Sequence, residues 1–216
     1  MNYNVLKTRQ RENRDQYPSA LGLRVHRALS WLRRAELCDA DEDARFIFLW
    51  IAFNAAYANE IRGMPGFTEK KIFGNFLRRL VEMDDGQSLY QLVWSEFPRS
   101  IRLLLDNRFV FQPFWDYHNG NIPEPEWQSR FRRSRQSALK ALGARDTARV
   151  LGCIFSRLYT LRNQLIHGGS SWNSTVNREQ VRDGADLLGK LVPVIIGIMM
   201  AHTEAVWGDP CYPVVD

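Results

Sequence analysis

The 216-residue chain has only three cysteines, Cys38, Cys153 and Cys211. They are far apart and odd in number, which excludes a disulfide framework and offers no zinc-ligand spacing. Cys153 falls on an apolar helical stripe, where a small buried thiol is expected. The four histidines (26, 118, 167 and 202) are isolated from one another. A phosphate-binding glycine loop, a dinucleotide fingerprint, an HExxH pair and a GxSxG elbow are all absent. No cofactor and no metal are therefore expected. The longest apolar run, 191–201, falls short of the ~18 residues of a membrane span and contains Pro193 and Gly197. Residues 1–17 are polar and lack the apolar stretch of a secretion signal. The expectation is a protein of the reducing cytoplasm with no membrane partner. Lysine is scarce: five of the 29 basic residues, so the rest are Arg, against 24 acids and a net charge of +5. Arg presents a planar fork that matches phosphate and carboxylate, as a Lys point charge does not.

Apolar residues recur at three- and four-residue spacing almost throughout, and no stretch alternates as a strand does. The spacing predicts helices over 19–37, 41–62, 68–83, 88–106, 126–142, 145–167 and 177–204. Residues 41–62 are apolar on most of the circumference, which suits a central helix. The aromatic, turn-rich stretch 109–127 reads as a packed loop or short helices. The expected architecture is all-α, a bundle of about seven or eight helices in one domain over 18–207. A loose N-terminal tail (1–17) and a C-terminal tail (208–216) flank it.

Chemistry concentrates in the run Leu161-Arg162-Asn163-Gln164-Leu165-Ile166-His167-Gly168-Gly169. It closes a helix whose other residues are core, and the two glycines suit a helix stop. Asn163 and His167 are four apart and share a face, so the amide can orient the imidazole. Arg162 lies five residues before His167, about 140° round an ideal helix, within reach of a long side chain. Histidine works as general base or acid near neutral pH. An arginine can hold a phosphate and stabilise the charge that builds in its transition state. Cleavage of RNA through its own 2′-OH needs that pair. On spacing alone, a surface Arg and a helix-capping His fit the same pattern.

The pattern Arg-Asn-x-x-x-His at the end of a long helix resembles the HEPN superfamily signature, in which four to six residues separate Arg from His. The stretch Trp50-Ile51-Ala52-Phe53-Asn54-Ala55-Ala56-Tyr57 resembles an early helix of the Apea-like HEPN group. The resemblance covers roughly 19–205. It implies a HEPN-like helical bundle that dimerises and brings two motifs together across a cleft. It further implies a metal-independent endoribonuclease leaving a 2′,3′-cyclic phosphate, in a toxin–antitoxin or antiviral defence role. Arg162 and His167 would be catalytic, with Asn163 in support. An antitoxin or other defence protein would be a partner. Non-catalytic members that bind RNA or a partner protein give the alternative. The Tyr found two residues after the motif His in toxins silenced by a nucleotidyltransferase is here Gly169, which argues against that mode of control.

Between Gln128 and Val150 lie Arg130, Arg132, Arg133, Arg135, Lys140, Arg145 and Arg149 against the single acid Asp146. That local excess exceeds the net charge of the whole chain. Such a cluster can track a phosphate backbone. Arg130, Arg132, Arg133 and Arg135 are the expected RNA contacts, with Trp172 available to stack on a base. Asn54, polar on an apolar helix, either lines the site or satisfies a buried group. The apolar stretch 191–200 is either core or a face for a second copy.

Overall fold

The computed structural model describes residues 1–38, 40–58, 69–205, 207–210, 212 and 214, the side chains of 69–72 excepted. Among these are ten α-helices and no strand, so the protein is all-α, with slightly more helices than expected. The helices are α1 (Tyr3–Asn13), α2 (Ser19–Glu36), α3 (Glu42–Tyr57), α4 (Glu69–Glu82) and α5 (Ser88–Gln91). They continue with α6 (Pro98–Asp106), α7 (Gln112–His118), α8 (Glu124–Gly143), α9 (Thr147–Ile166) and α10 (Arg178–Ala201). The expected end of the second helix at 62 and the expected start of the next at 68 lie outside the described residues.

Helix α3 sits at the centre, against α2, α10 and α9. Its N-terminus is capped by Asp41, whose carboxylate accepts the Ala44 amide (3.0 Å). Its outward spread of Phe46, Leu49, Trp50, Phe53 and Tyr57 is wholly buried. The Trp50 ring meets Tyr159, and the Phe53 ring lies tilted against Phe155 with centres 4.2 Å apart. Rising numbers on α3 therefore meet falling numbers on α9, and the two helices are antiparallel. Asp43, Phe46 and Leu49 of α3 meet Arg178, Gly184 and Gly189 of α10, in matching order. Helices α3 and α10 are thus parallel. Their N-termini and the C-terminus of α9, with Arg162 to His167, share one end of the bundle. A side chain on Gly184 would press on Phe46 at 3.0 Å and Leu158 at 3.2 Å, so the small residue sets that close packing.

Three expectations are corrected, and one open alternative is resolved. Residues 1–17 are not a loose tail: Asn2 caps α1, and Leu6 is wholly buried between α2 and α10. One deeply buried leucine leaves no periodicity in the sequence, so the helix could not be seen there. The 88–106 helix is broken, because Phe97 bonds back to Leu92 in a wide turn and Pro98, lacking an N–H, begins α6. Pro193 does not interrupt its run. Helix α10 passes through it and, at 24 residues and mean hydropathy 1.7, is long and apolar enough to cross a membrane. Most of that apolar window, 72%, is instead buried inside the bundle. Finally, Leu191, Val192, Ile195, Ile196, Met199 and Met200 are all buried within one chain, so 191–200 is core and not a face for a second copy. The segment after α10 is tied down as well: buried Arg24 donates to the Gly208 and Asp209 carbonyls, and to those of Ala56 and Ala58.

Candidate active site and basic groove

Helix α9 ends as its sequence indicates. Gly168 has a left-handed φ of +69°, its amide bonds to the Leu165 carbonyl (3.3 Å), and the Gly169 amide bonds to the Gln164 carbonyl (2.7 Å). This pair of bonds satisfies the last carbonyls of the helix. A side chain at Gly169 would stand 3.0 Å from the Gln164 carbonyl oxygen. The stop fixes where His167 leaves the helix. Its own amide still bonds to the Asn163 carbonyl (3.0 Å), while its imidazole is exposed. Among the described residues the imidazole has no hydrogen-bond or ion-pair partner.

Arg162 is half-buried. Its guanidinium donates to the Asn163 side-chain oxygen (2.9 Å) and lies 5.9 Å from the Tyr159 ring centre. Its Nε is buried without a partner among the described residues. Asn163 thus orients Arg162, not His167 as expected. The reason is local: the neighbouring guanidinium claims the amide oxygen, while the imidazole projects outward at the helix stop. Arg162 has no carboxylate partner among the described residues.

The surroundings of this end are built from the 167–177 loop. Trp172 is 74% exposed, and its indole N–H reaches the Asp41 carboxylate (3.2 Å). The Asn173 amide and the Arg178 guanidinium (2.6 Å) both donate to Asp43. The loop is therefore pinned on the N-terminus of α3, with the Trp172 ring held open to solvent. Gln164 reaches across to the Phe109 carbonyl (2.6 Å). Phe109 (46%) and Ile166 (49%) are exposed apolar residues beside the motif. Sequence periodicity does not mark them, because each lies where a helix ends or turns.

The four expected RNA-binding arginines of α8 are all exposed, but they do not form one surface. Arg130 pairs with Glu126, and Arg135 pairs with Asp106 (2.7 Å). Arg132 and Arg133 have no partner among the described residues and point away from α9, since Ala138 and Ala141 mark the buried face. Helix α8 lies alongside α9, but it does not present all its charge to the motif. Asn54 is distant: it lies beyond the Phe53–Phe155 contact, towards the opposite end of α3, and its side-chain oxygen is buried without a partner among the described residues.

Sequence reading missed Arg157. It interrupts the stripe Val150, Ile154, Leu161, and that interruption was the available signal. The side chain is 3% exposed and lies between the rings of Phe111 (4.4 Å) and Phe131 (5.4 Å). It donates to the Leu105 carbonyl (3.1 Å) and the Ser134 hydroxyl (3.3 Å). Burial lowers its pKa to about 10, so it stays charged at neutral pH. It lines a groove of about 500 Å³ between α4, α8 and α9, with Arg78, Arg149, Gly74, Gly152 and Ser156. Among the described residues, no three His, Cys, Asp or Glu side chains converge as a metal site would need.

Compared with protein-family models, curated proteins and solved structures, the chain matches none.

Proposed function

We propose that this protein is an endoribonuclease of the HEPN type, cutting RNA by attack of the substrate's own 2′-OH without a metal. One observation carries the proposal: Arg162 lies in the last two turns of α9 and His167 at its C-terminal cap, neither engaged by a carboxylate among the described residues. In the proposed reaction the His167 imidazole takes the 2′-OH proton, and the 2′ oxygen forms a bond to phosphorus. The bond from phosphorus to the 5′ oxygen breaks, and that oxygen takes a proton from the imidazolium or from solvent. The products are a 2′,3′-cyclic phosphate and a 5′-OH end. Arg162, oriented by Asn163, balances the charge on the phosphoryl oxygens. Trp172 offers an open ring for stacking one base. The exposed Ile166 and Phe109 beside the motif support closure of a second copy over this end, pairing two motifs. A toxin–antitoxin or antiviral role in the cytoplasm, with an antitoxin or defence protein as partner, belongs to the same proposal.

The test is cleavage of single-stranded RNA in EDTA by wild type, His167→Ala and Arg162→Ala, with end-group analysis of the products. Loss of cleavage in both variants, with cyclic phosphate ends from the wild type, is the expected result. Equal activity in all three sinks the assignment. A specific observation favours the alternative, a non-catalytic module that binds RNA or a protein: His167 has no orienting group among the described residues. RNA binding without cleavage at any enzyme concentration would establish that reading.

A further inference from the structure

The groove beside α9 has the features of an anion site. Three arginines line it, Arg78 from α4 and Arg149 and Arg157 from α9. None of the three pairs with a carboxylate among the described residues. Among the described residues the Arg149 guanidinium reaches the Ser137 hydroxyl (3.0 Å) and Arg78 the Asn75 side chain (3.4 Å). Among the described residues the one acid lining the groove, Asp146, caps α9 by accepting the Arg149 amide. Arg157 is a buried cation with no carboxylate at contact distance among the described residues; two rings and the Leu105 carbonyl offset its burial, and its charge adds to the positive field of the groove. The walls leave room for a ligand. Added β-carbons at Gly74 and Gly152 would meet nothing within 4 Å.

The groove is also continuous with the motif. Gly152, Ser156, Tyr159, Asn163 and His167 recur at three- and four-residue spacing, and all five are at least partly exposed. They lie along one face of α9, with the Tyr159 ring turned against Trp50 and Phe73. Eleven residues separate Ser156 from His167, roughly 16 Å along the axis. At about 3.4 Å per stacked nucleotide of one strand, that is the reach of four or five nucleotides.

We infer that the α4–α8–α9 groove binds the phosphodiester backbone of single-stranded RNA a few nucleotides from the Arg162–His167 end. The groove grips phosphate; that face of α9 leads the strand to the imidazole. The choice of RNA rests on the reading of Arg162 and His167 given above, whereas the anion site rests on the groove itself.

The experiment uses a short fluorescent single-stranded RNA with a 5′-OH, so that only the diester backbone supplies the anion. Binding to the full-length His167→Ala protein is followed by anisotropy in EDTA over a series of salt concentrations. Losing two phosphate contacts in Arg78→Ala/Arg149→Ala should weaken low-salt binding about tenfold and reduce the salt slope by about 1.4. Gly152→Phe fills the groove without changing charge and should weaken binding too. Arg78→Lys/Arg149→Lys should keep most of the salt slope. Unchanged affinity and slope in variants that melt like their parent overturn the inference, as does absence of RNA binding at low salt. Cleavage by wild type is scored separately. Groove-dependent binding without cleavage sinks the catalytic reading alone; His167-dependent cleavage with groove variants binding normally sinks the groove alone.

Discussion

Replacing Arg157 separates what its charge contributes from what its volume contributes. The guanidinium lies between Phe111 and Phe131 and donates to the Leu105 carbonyl. Each ring contact is worth about 0.5–2 kcal/mol. Leaving the Leu105 carbonyl unpaired costs about 1–3 kcal/mol. Together these favour the arginine by about 2–7 kcal/mol, centred near 4. Against them stands burial of the charge. Lowering the pKa from the ordinary arginine range to about 10 reports roughly 3 kcal/mol against the charged form. The two sides nearly cancel. Arg157→Met, which keeps most of the volume and discards the charge, should therefore change stability by only about 1 kcal/mol. Arg157→Ala adds a cavity and should cost about 3 kcal/mol or more. The check is urea unfolding followed by far-UV circular dichroism, with linear extrapolation to water. If Met is as damaging as Ala, the charge itself holds the α6–α8–α9 junction and the near-cancellation is wrong.

Leu6→Ala should destabilise the protein by about 2–4 kcal/mol in the same assay, since Leu6 is wholly buried under α2 and α10; a change below about 0.5 kcal/mol would mean that α1 does not dock. Burial raises the Cys153 thiol pKa above its ordinary 9.0, outweighing the lowering by nearby Arg157 and Arg149. Cys153 should accordingly be alkylated more slowly than a free thiol at neutral pH and accelerate only above pH 9. Site-resolved mass spectrometry after timed iodoacetamide treatment reads this directly, and fast labelling at pH 7 would contradict it. By the same linkage, the unfolded thiol loses its proton first as pH rises. The stability contributed by protonated Cys153 is therefore lost from about pH 9 upward.

Much of this molecule is local and so was legible in the chain. Apolar spacing marked α2, α3, α8, α9 and α10 because each buries one continuous stripe or its whole circumference. The stop at Gly168-Gly169 was legible because only a residue tolerant of positive φ closes a helix in that way. The motif Arg162, Asn163, His167 was legible as a spacing on one helix. Its internal wiring was not: the sequence permits Asn163 to serve either neighbour, and the helix stop turned the imidazole outward while the amide went to Arg162. The arginines of α8 show the same division. Their number was plain, but Glu126 and Asp106 neutralise two of them, and Asp106 is a partner remote in sequence. Tertiary structure alone decided that Arg157 is buried between two rings and that Arg78, 71 positions before Arg149, stands at the same groove. Helical periodicity reports which face of one helix avoids water. It carries no record of which helices meet, and a groove exists only where they do.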